Sequence, residues 1–333
     1  MRNLIFFLCW LMLGSAFAQD LPHWRLSTPD EERLDAAAFE GFDDGIATAM
    51  GDVQSVVVVL QGRTVYQYYR DDNPDTLRST QSVTKSALAL LVGTVLQNGQ
   101  LKSLDEPVVD FMPHWRSLNP DPRTHAITLR HLLAMKTGFE VNDPTGTAGQ
   151  LAPEVAWARP MHAEPGAKFA YDNSGPPIVQ AVIEKITGHT IDELVRNQLV
   201  TPLDLKEPRY VRGGAWMRTA DMAKLGYLLL RDGRWADRQL LPPGFAAELV
   251  KPQSEGGLPA RMPYGLFWWT PSSSTYIASG YAGQFIWVHT PLDLIVAVNS
   301  TVSLDSMQRG QAARLIRGRI FQAAQKRLEM NRK

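Results

Sequence analysis

The sequence predicts an α+β fold: an antiparallel sheet built from both chain ends and flanked by terminal helices, with a mostly helical domain inserted between its halves. Strand-like apolar runs lie near the N-terminus and return from about residue 263. In between, apolar residues recur with the helical period. One shared sheet covered by helices is the simplest assembly of these elements. We therefore assign residues 19–78 and 255–333 to a sheet domain and 79–254 to a helical domain, with the active site at their junction.

The first half of the sheet is predicted from local patterns. Apolar residues at helical spacing indicate a helix over residues 34–50. Residues 55–60 are a β-branched apolar run typical of a buried strand, and Gln61-Gly62 turns the chain into a hairpin partner over 63–69. Residues 82–97 are apolar on nearly every side, which indicates a buried helix.

The inserted helices and the second half of the sheet are predicted from the same kinds of pattern. An apolar face from Ile178 to Ile186 predicts a helix ending at Gly188, and Thr219 is expected to cap another helix. Alternating apolar and polar residues then predict four consecutive strands, at residues 264–270, 276–279, 284–289 and 294–299. A terminal helix is predicted over residues 305–330. These strands would complete the sheet begun near the N-terminus.

Residues 1–18 have the order of a cleaved secretory signal. Arg2 precedes an apolar run over 4–13, too short to span a bilayer, and a small-x-small site ends at Ala18. We predict cleavage near Ala18-Gln19 and export to the periplasm or medium, without a stable membrane anchor. The chain's one cysteine, Cys9, lies in this segment, so the mature protein would contain no disulfide.

Composition excludes several classes of function. Hydrophobic residues make up 44% and charged residues 20% of the chain, which is globular usage rather than that of a disordered protein. The 34 basic and 34 acidic residues balance, whereas nucleic-acid-binding proteins usually carry excess basic charge. The seven histidines are scattered, so we predict no metal and no cofactor. The oligomeric state stays open.

A serine and a lysine open the predicted buried helix. Ser82-Val-Thr-Lys85 places the two side chains one helical turn apart on the same face. A serine hydroxyl is a poor nucleophile until a base takes its proton, and apolar surroundings favour the neutral, proton-accepting form of lysine. The helix N-terminus adds backbone N–H groups near an attacked carbonyl. Alone, this motif arises often by chance.

Two further motifs follow in the chain. Tyr171-Asp172-Asn173 lies in a predicted loop, where polar groups can reach a cleft and where Lys85 would favour the basic form of the tyrosine. The alternative is a surface tyrosine beside a helix cap at Asn173. Ser279 to Gln284 is rich in small residues, so a substrate could lie against a strand edge there while a free N–H donates to an oxyanion. The alternative is an ordinary hairpin turn.

In this order the motifs resemble the serine β-lactamase and penicillin-binding-protein superfamily, and within it the class C-type branch of carboxylesterases, D-aminopeptidases and 6-aminohexanoate-dimer hydrolases. The resemblance covers roughly residues 45–325. It is carried by Ser79-Thr-Gln-Ser82-Val-Thr-Lys85-Ser86, Gly99 to Val108, Thr128-Leu-Arg-His131-Leu-Leu, Pro165 to Gly188, Arg218 to Gly233 and Gly280 to Ser300. It implies a β-lactamase/transpeptidase-like fold.

The resemblance also implies roles for the matching residues. Ser82 would be acylated and Lys85 would relay its proton. Tyr171 would act as general base and then as acid to the leaving group, while Asn173 would hold Lys85 and the substrate. The backbone N–H groups of Ser82 and Gln284 would form the oxyanion hole. Gly283, Tyr281 and Trp287 would line the substrate site.

The third motif departs from the lactamase pattern. Lactamases and peptidoglycan peptidases carry K-T-G or H-T-G on a late strand, and the aligned residues here, Tyr281-Ala282-Gly283, offer no cation for a substrate carboxylate. A literal Lys136-Thr137-Gly138 comes too early and ends a helical run, so we interpret it as a loop. Trp268, Trp269 and Trp287 are interpreted as core or sheet-face residues, with an apolar wall of an acyl pocket as the alternative.

The sequence therefore predicts an exported serine hydrolase that cleaves small ester or amide substrates through an acyl-enzyme. A carboxylesterase or amidase is favoured over a β-lactamase because the third motif lacks its cation. A true β-lactamase remains one alternative. Another is a catalytically silent protein that binds peptidoglycan or acyl ligands, since fold alone proves no activity.

Overall fold

The computed structural model describes residues 25–142, 148–211 and 214–330. The predicted signal segment and its cleavage site lie outside the described residues. Within these ranges, no helix is both long enough and apolar enough to cross a membrane.

The strands come mainly from the two ends of the chain. Those of the described residues are β1 (Val53–Leu60), β2 (Arg63–Tyr69), β3 (Arg78–Ser79), β4 (Arg209–Val211), β5 (Gly214–Met217), β6 (Arg234–Trp235), β7 (Arg238–Gln239), β8 (Ser254–Gly257), β9 (Met262–Tyr264), β10 (Trp269–Ser272), β11 (Thr275–Gly280), β12 (Gln284–His289) and β13 (Leu294–Ser300). Eight of them form one antiparallel sheet in the order β2-β1-β13-β12-β11-β10-β9-β8. The predicted α+β class is confirmed, since β1 pairs directly with the last strand, with Val56 opposite Val298.

Helices occupy the region between the two groups of sheet strands and follow the last strand. They are α1 (Phe42–Ala49), α2 (Val83–Gln97), α3 (Val108–Phe111), α4 (Leu129–Leu133), α5 (Pro153–Trp157), α6 (Gly175–Thr187), α7 (Ile191–Val195), α8 (Thr201–Leu203), α9 (Thr219–Leu230), α10 (Phe245–Val250), α11 (Leu304–Arg309), α12 (Gln311–Leu315) and α13 (Phe321–Met330). A π-helical segment, Ile316–Ile320, joins α12 to α13. Helix α2 is buried along most of its length, as its apolar sequence predicts.

The large sheet is covered on both faces. Along β12, Ile286 and Val288 lie against α9 at Gly226, whereas Trp287 packs on Phe321 of α13. Successive side chains of a strand point to opposite faces, so the two helices lie on opposite sides of the sheet. Strand β13 is accordingly buried at every residue.

Two predicted helices are interrupted at glycines. The helix expected over residues 34–50 is instead a 3₁₀ turn, Ala36–Ala38, followed by α1. The helix expected over 305–330 is divided at Gly310. Gly41 and Gly310 have φ angles of 60° and 57°, a left-handed conformation that ends a right-handed helix.

Two other predictions are corrected by tertiary contacts. The strand expected over 264–270 is split into β9 and β10, because Phe267 has a φ of 57° and its N–H donates to the carbonyl of Leu133 at 2.8 Å. Thr219 is the first residue of α9 rather than its cap. Its hydroxyl hydrogen-bonds instead to Ser55 at 2.6 Å and Asn299 at 2.8 Å, both on sheet strands.

Candidate active site

Ser82 and Lys85 lie at the N-terminus of α2. Ser82 is the N-cap residue, and the ammonium of Lys85 donates to Ser82 Oγ at 2.9 Å. The same ammonium donates to Asn173 Oδ1 at 3.0 Å. The fold therefore brings the first two motifs together through one lysine.

Tyr171 borders the same lysine. The Lys85 ammonium lies 5.1 Å from the centroid of the Tyr171 ring. Trp269 stacks on that ring at 5.9 Å, and Tyr264 contacts it edge-on at 6.3 Å. Burial raises the pKa of the Tyr264 hydroxyl well above its ordinary value, so this neighbour stays neutral and does not compete as a base.

Asp172 anchors the loop between Tyr171 and Asn173. Its carboxylate is almost fully buried, accepts from Arg159 at 2.7 Å, and accepts from the backbone N–H and hydroxyl of Ser174 at 2.9 and 2.6 Å. These bonds hold the loop on its buried side, while the side chains of Tyr171 and Asn173 face the site. The sequence analysis assigned no role to Asp172 or Arg159, because no local pattern pairs a carboxylate with an arginine 13 residues earlier in the chain.

The third motif lies differently from its predicted alignment. Strand β11 ends at Gly280, so Tyr281-Ala282-Gly283 forms the turn into β12 rather than part of a strand. A Cβ at Gly280 would lie 2.5 Å from the carbonyl oxygen of Thr80, so glycine permits the strand end to approach the segment before Ser82. The strand triplet beside Ser82 is therefore Ala278-Ser279-Gly280. This triplet carries no cationic side chain either. The prediction that the third motif lacks a cation therefore holds for Ala278-Ser279-Gly280 instead of Tyr281-Ala282-Gly283.

Gln284 belongs to the sheet rather than to the substrate site. It pairs with Gly280 across the hairpin, and its buried side chain donates to the carbonyl of Ser300 at 3.0 Å and accepts from the Ser300 N–H at 2.9 Å. In contrast, the backbone N–H groups of Ser82 and Tyr281 have no protein acceptor within the described part of the chain. Unpaired N–H groups at a site's surface are available to a ligand.

Trp287 is likewise part of the sheet, and its ring lies 6.3 Å from that of Phe285. Its ring contacts Phe321 at 5.9 Å and the guanidinium of Arg317 at 5.3 Å, on the face of the sheet covered by α13. Trp268 is fully buried, which leaves Trp269 as the tryptophan that borders Tyr171. Lys136 of the literal K-T-G sequence donates to the carbonyl of Gln253 at 3.1 Å in a loop.

One cavity of about 660 Å³ contains the candidate groups. Ser82, Tyr171, Asn173 and Tyr281 all line it, together with Trp269. Gln284 and Trp287 are not among its lining residues. The arrangement offers the Ser82 hydroxyl, hydrogen-bonded to the side-chain nitrogen of Lys85, with the Tyr171 phenol and two unpaired N–H groups nearby. Such a set of groups can attack a carbonyl, move a proton and bind the resulting oxyanion.

Comparisons with known proteins identify a family and several relatives. The Beta-lactamase family model matches residues 42–319. Penicillin-binding protein 4 of Amycolatopsis lactamdurans is 27% identical over 220 residues, covering 63% of this chain and 54% of that protein. Esterase EstB of Burkholderia gladioli is 26% identical over 170 residues, covering 45% of this chain and 43% of that protein. The chain spans between about a third and three fifths of the length of the curated relatives it matches.

A solved structure shares the fold. The crystal structure of a candidate β-lactamase from Bacteroides dorei DSM 17855 superposes with a TM-score of 0.73 and 16% identity. The superposition covers 88% of this chain and 99% of that one. At this identity the likeness concerns the architecture of the sheet and helices alone.

Proposed function

This chain belongs to the β-lactamase family, which confirms the resemblance inferred from its motifs, and on that premise we propose that it is a serine hydrolase acting on small esters or amides through an acyl-enzyme. The family is one of hydrolases and the chain's relatives include an esterase. The observation that carries the proposal is the pair of hydrogen bonds from Lys85 to Ser82 Oγ and Asn173 Oδ1 in the shared cavity.

In the proposed reaction, Ser82 Oγ forms a bond to the substrate carbonyl carbon and gives up its proton to Lys85, which passes one of its own ammonium protons to the ionised hydroxyl of Tyr171. The carbonyl oxygen becomes an oxyanion, which accepts hydrogen bonds from the backbone N–H groups of Ser82 and Tyr281. Tyr281 replaces Gln284 in this role because its N–H is unpaired. The bond to the leaving group then breaks, the leaving group takes the transferred proton, and water hydrolyses the acyl-serine.

The same site favours uncharged substrates. Ala278 and Ser279 at the strand end and Tyr281 in the turn offer no cation to a substrate carboxylate. A carboxylate would lose its hydration there without gaining an ionic partner, which is costly. Esters and amides without that carboxylate are therefore the proposed substrate class, ahead of penicillins and cephalosporins.

The proposal is tested by covalent labelling of the full mature chain. A fluorophosphonate should add to Ser82, as located by mass spectrometry, and p-nitrophenyl acetate should be hydrolysed. Ser82→Ala should lose labelling and at least about 10⁴-fold in rate, whereas Ser273→Ala, which removes an exposed turn hydroxyl, should retain both. Labelling of another serine in an undiminished Ser82→Ala enzyme would contradict the assignment, and a lack of any turnover or adduct would favour a silent binding protein.

We further propose that the protein is exported after cleavage near Ala18-Gln19, because Arg2, the apolar run and Ala16-Phe17-Ala18 have the order of a secretory signal. Expressed in a Gram-negative host, the mature protein should begin near Gln19 and accumulate in the periplasm. Retention of Met1 on the purified protein would contradict this.

A further inference from the structure

We propose that Gln284 and Asn299 are positioning residues for the two backbone N–H groups that bind the oxyanion. The inference rests on the proposed acyl-enzyme function and deepens it. The side-chain amides of these two residues link the carbonyl of Tyr281 to the carbonyl of Ser79. They thereby join the two chain segments that carry the N–H groups of Tyr281 and Ser82. Neither residue lines the cavity, so each acts through the backbone that it holds.

Gln284 holds the turn that contains Tyr281. Its amide nitrogen donates to the carbonyl oxygen of Tyr281 at 3.2 Å and to that of Ser300 at 3.0 Å. Its amide oxygen accepts from the backbone N–H of Ser300 at 2.9 Å. In the sheet the same residue pairs with Gly280, which directly precedes Tyr281. The backbone of Tyr281 is therefore held on both sides, and with it the direction of its N–H.

Asn299 holds the segment that leads into Ser82. Its amide nitrogen donates to the carbonyl oxygen of Ser79 at 3.1 Å and to Gln284 Oε1 at 3.3 Å. Its amide oxygen accepts from the hydroxyl of Thr219 at 2.8 Å. Ser79 lies only three residues before Ser82, so a shift of this carbonyl is transmitted to the N-terminus of α2.

The pair forms a buried and well-satisfied network. Both side chains are fully buried. The Gln284 amide makes four hydrogen bonds, which is the full capacity of its two donors and its carbonyl oxygen. Because a buried amide without partners is costly, neither side chain can turn without breaking bonds at both ends of the network. The network therefore fixes one placement of the two segments relative to each other.

Each segment contains a strained residue next to the N–H concerned. Gln81, directly before Ser82, has a φ of 50°, and Ala282, directly after Tyr281, has a φ of 64°. This left-handed conformation is unfavourable for a residue with a Cβ, and it persists where surrounding contacts hold it. The amide network supplies such contacts on both sides. Without it, we expect the two segments to relax and their N–H groups to turn from the oxyanion.

The test compares two ketones as inhibitors of the full mature enzyme. 1,1,1-Trifluorohexan-2-one should add reversibly to the enzyme: Ser82 Oγ bonds to the ketone carbon, its proton passes through Lys85 to Tyr171, and the carbonyl oxygen becomes an oxyanion. Hexan-2-one has the same chain but a less electrophilic carbon, so its Ki measures binding without the oxyanion. The wild type should bind the trifluoromethyl ketone at least about 100-fold more tightly, as a transition-state analogue.

Gln284→Met removes the amide at similar side-chain volume. It should weaken binding of the trifluoromethyl ketone and lower kcat/KM for p-nitrophenyl acetate by the same factor, about 30-fold, while the Ki of hexan-2-one changes less than about twofold. The loss is smaller than for a deleted donor, because a displaced N–H keeps part of its hydrogen bond. The control is Gln239→Met, which removes an amide that also donates to two backbone carbonyls, those of Asp232 and Leu241, outside the cavity. It should behave as wild type in all three measurements.

Asn299→Ser removes the second amide. It should give the same pattern with a loss of about tenfold, and it serves if Gln284→Met does not fold. The double variant should lose little more than Gln284→Met alone, because one broken link already disconnects the two segments. Each variant is assayed at a temperature at which circular dichroism shows it to be folded, so a loss of stability alone leaves the ratio of the two Ki values unchanged.

Three results would overturn the positioning role: equal binding of the two ketones by the wild type, equal weakening of both ketones in a folded variant, or unchanged affinity for the trifluoromethyl ketone in either one. Losses that multiply in the double variant would overturn the action of the two amides as one network. Fluorophosphonate labelling of Ser82 is measured in every variant and should persist at a reduced rate, which keeps the serine hydrolase assignment separate. Absence of labelling in the wild type would overturn the proposed function itself.

Discussion

The indole of Trp269 lies nearly parallel to the phenol ring of Tyr171, with centroids 5.9 Å apart and an interplanar angle of 11°. The loop before Trp269 is tied to helix α2, because Ser86 Oγ donates to the carbonyl of Phe267 at 2.6 Å. The helix that carries Ser82 and Lys85 therefore also sets the surface against which Tyr171 rests.

Trp269→Ala should release the Tyr171 ring and lower kcat for p-nitrophenyl acetate about tenfold, or ~1.4 kcal/mol in activation free energy. Trp269→Phe should recover most of that loss, since it restores a flat aromatic neighbour. Trp216→Ala removes a tryptophan outside the cavity and is the control. Melting temperatures measured in parallel identify simple unfolding, and equal kcat losses in the Ala and Phe variants would contradict a positioning role.

Asp172→Ala should lower the free energy of unfolding by about 3 kcal/mol, because it leaves Arg159 without its buried carboxylate partner. Urea denaturation measures the change. Asp110→Ala is the matched control, since the Asp110–Arg116 pair is about half exposed on both sides and such pairs contribute under about 1 kcal/mol. Similar losses in the two variants would show that burial of the Asp172 pair has no special importance.

Short-chain esters should be cleaved with a kcat/KM at least about tenfold above that for penicillins or cephalosporins, because no lysine or arginine is among the described residues that line the cavity. Tyr281→Lys should narrow this gap, since residue 281 lines the cavity and its side chain is partly exposed. Parallel assays with p-nitrophenyl acetate and nitrocefin measure the ratio, with Tyr281→Met as an uncharged control. Efficient nitrocefin turnover by a wild type without esterase activity would refute this prediction.

Asp52→Asn should destabilise the protein more at pH 7 than at pH 3. Hydrogen bonding from Arg309 lowers the pKa of Asp52 below its ordinary value of 3.8 in the folded state. Its contribution to stability is therefore fully present above that ordinary value and is lost as the pH falls through the lowered folded value. Urea midpoints of wild type and variant at the two pH values test this. A difference that persists unchanged at pH 3 would mean that the carboxylate's charge is not what matters.

The sequence predicted the parts of the site whose geometry is local. Ser82 and Lys85 meet because residues three apart share a helix face, and this needs no knowledge of the rest of the fold. Their contact with Asn173 came from the order of motifs, through the family resemblance. Neither argument requires an exact strand boundary.

The predicted alignment of the third motif was wrong because it depended on such a boundary, the end of β11. Where β11 ends is decided by the close approach of Gly280 to Thr80, a tertiary contact that no local pattern reveals. The interpretation of Trp287 as a sheet-face residue is correct, whereas its alternative place in an acyl pocket is taken by Phe285, which lies two residues earlier on the same face of β12 and lines the cavity. Asp172 was missed because its partner, Arg159, lies elsewhere in the chain and is identified only by the fold.

The position of β13 between β1 and β12 has a consequence for synthesis on the ribosome. The strand that joins the two halves of the sheet is the last of the strands to be translated, so β1 and β12 each keep an open edge until it emerges. Ser82 is translated early and Tyr281 late, so the two N–H groups facing the cavity cannot meet until the chain has been made beyond Tyr281. Pairing of segments so distant in sequence is intrinsically slow. The candidate site therefore forms only after most of the chain has been made.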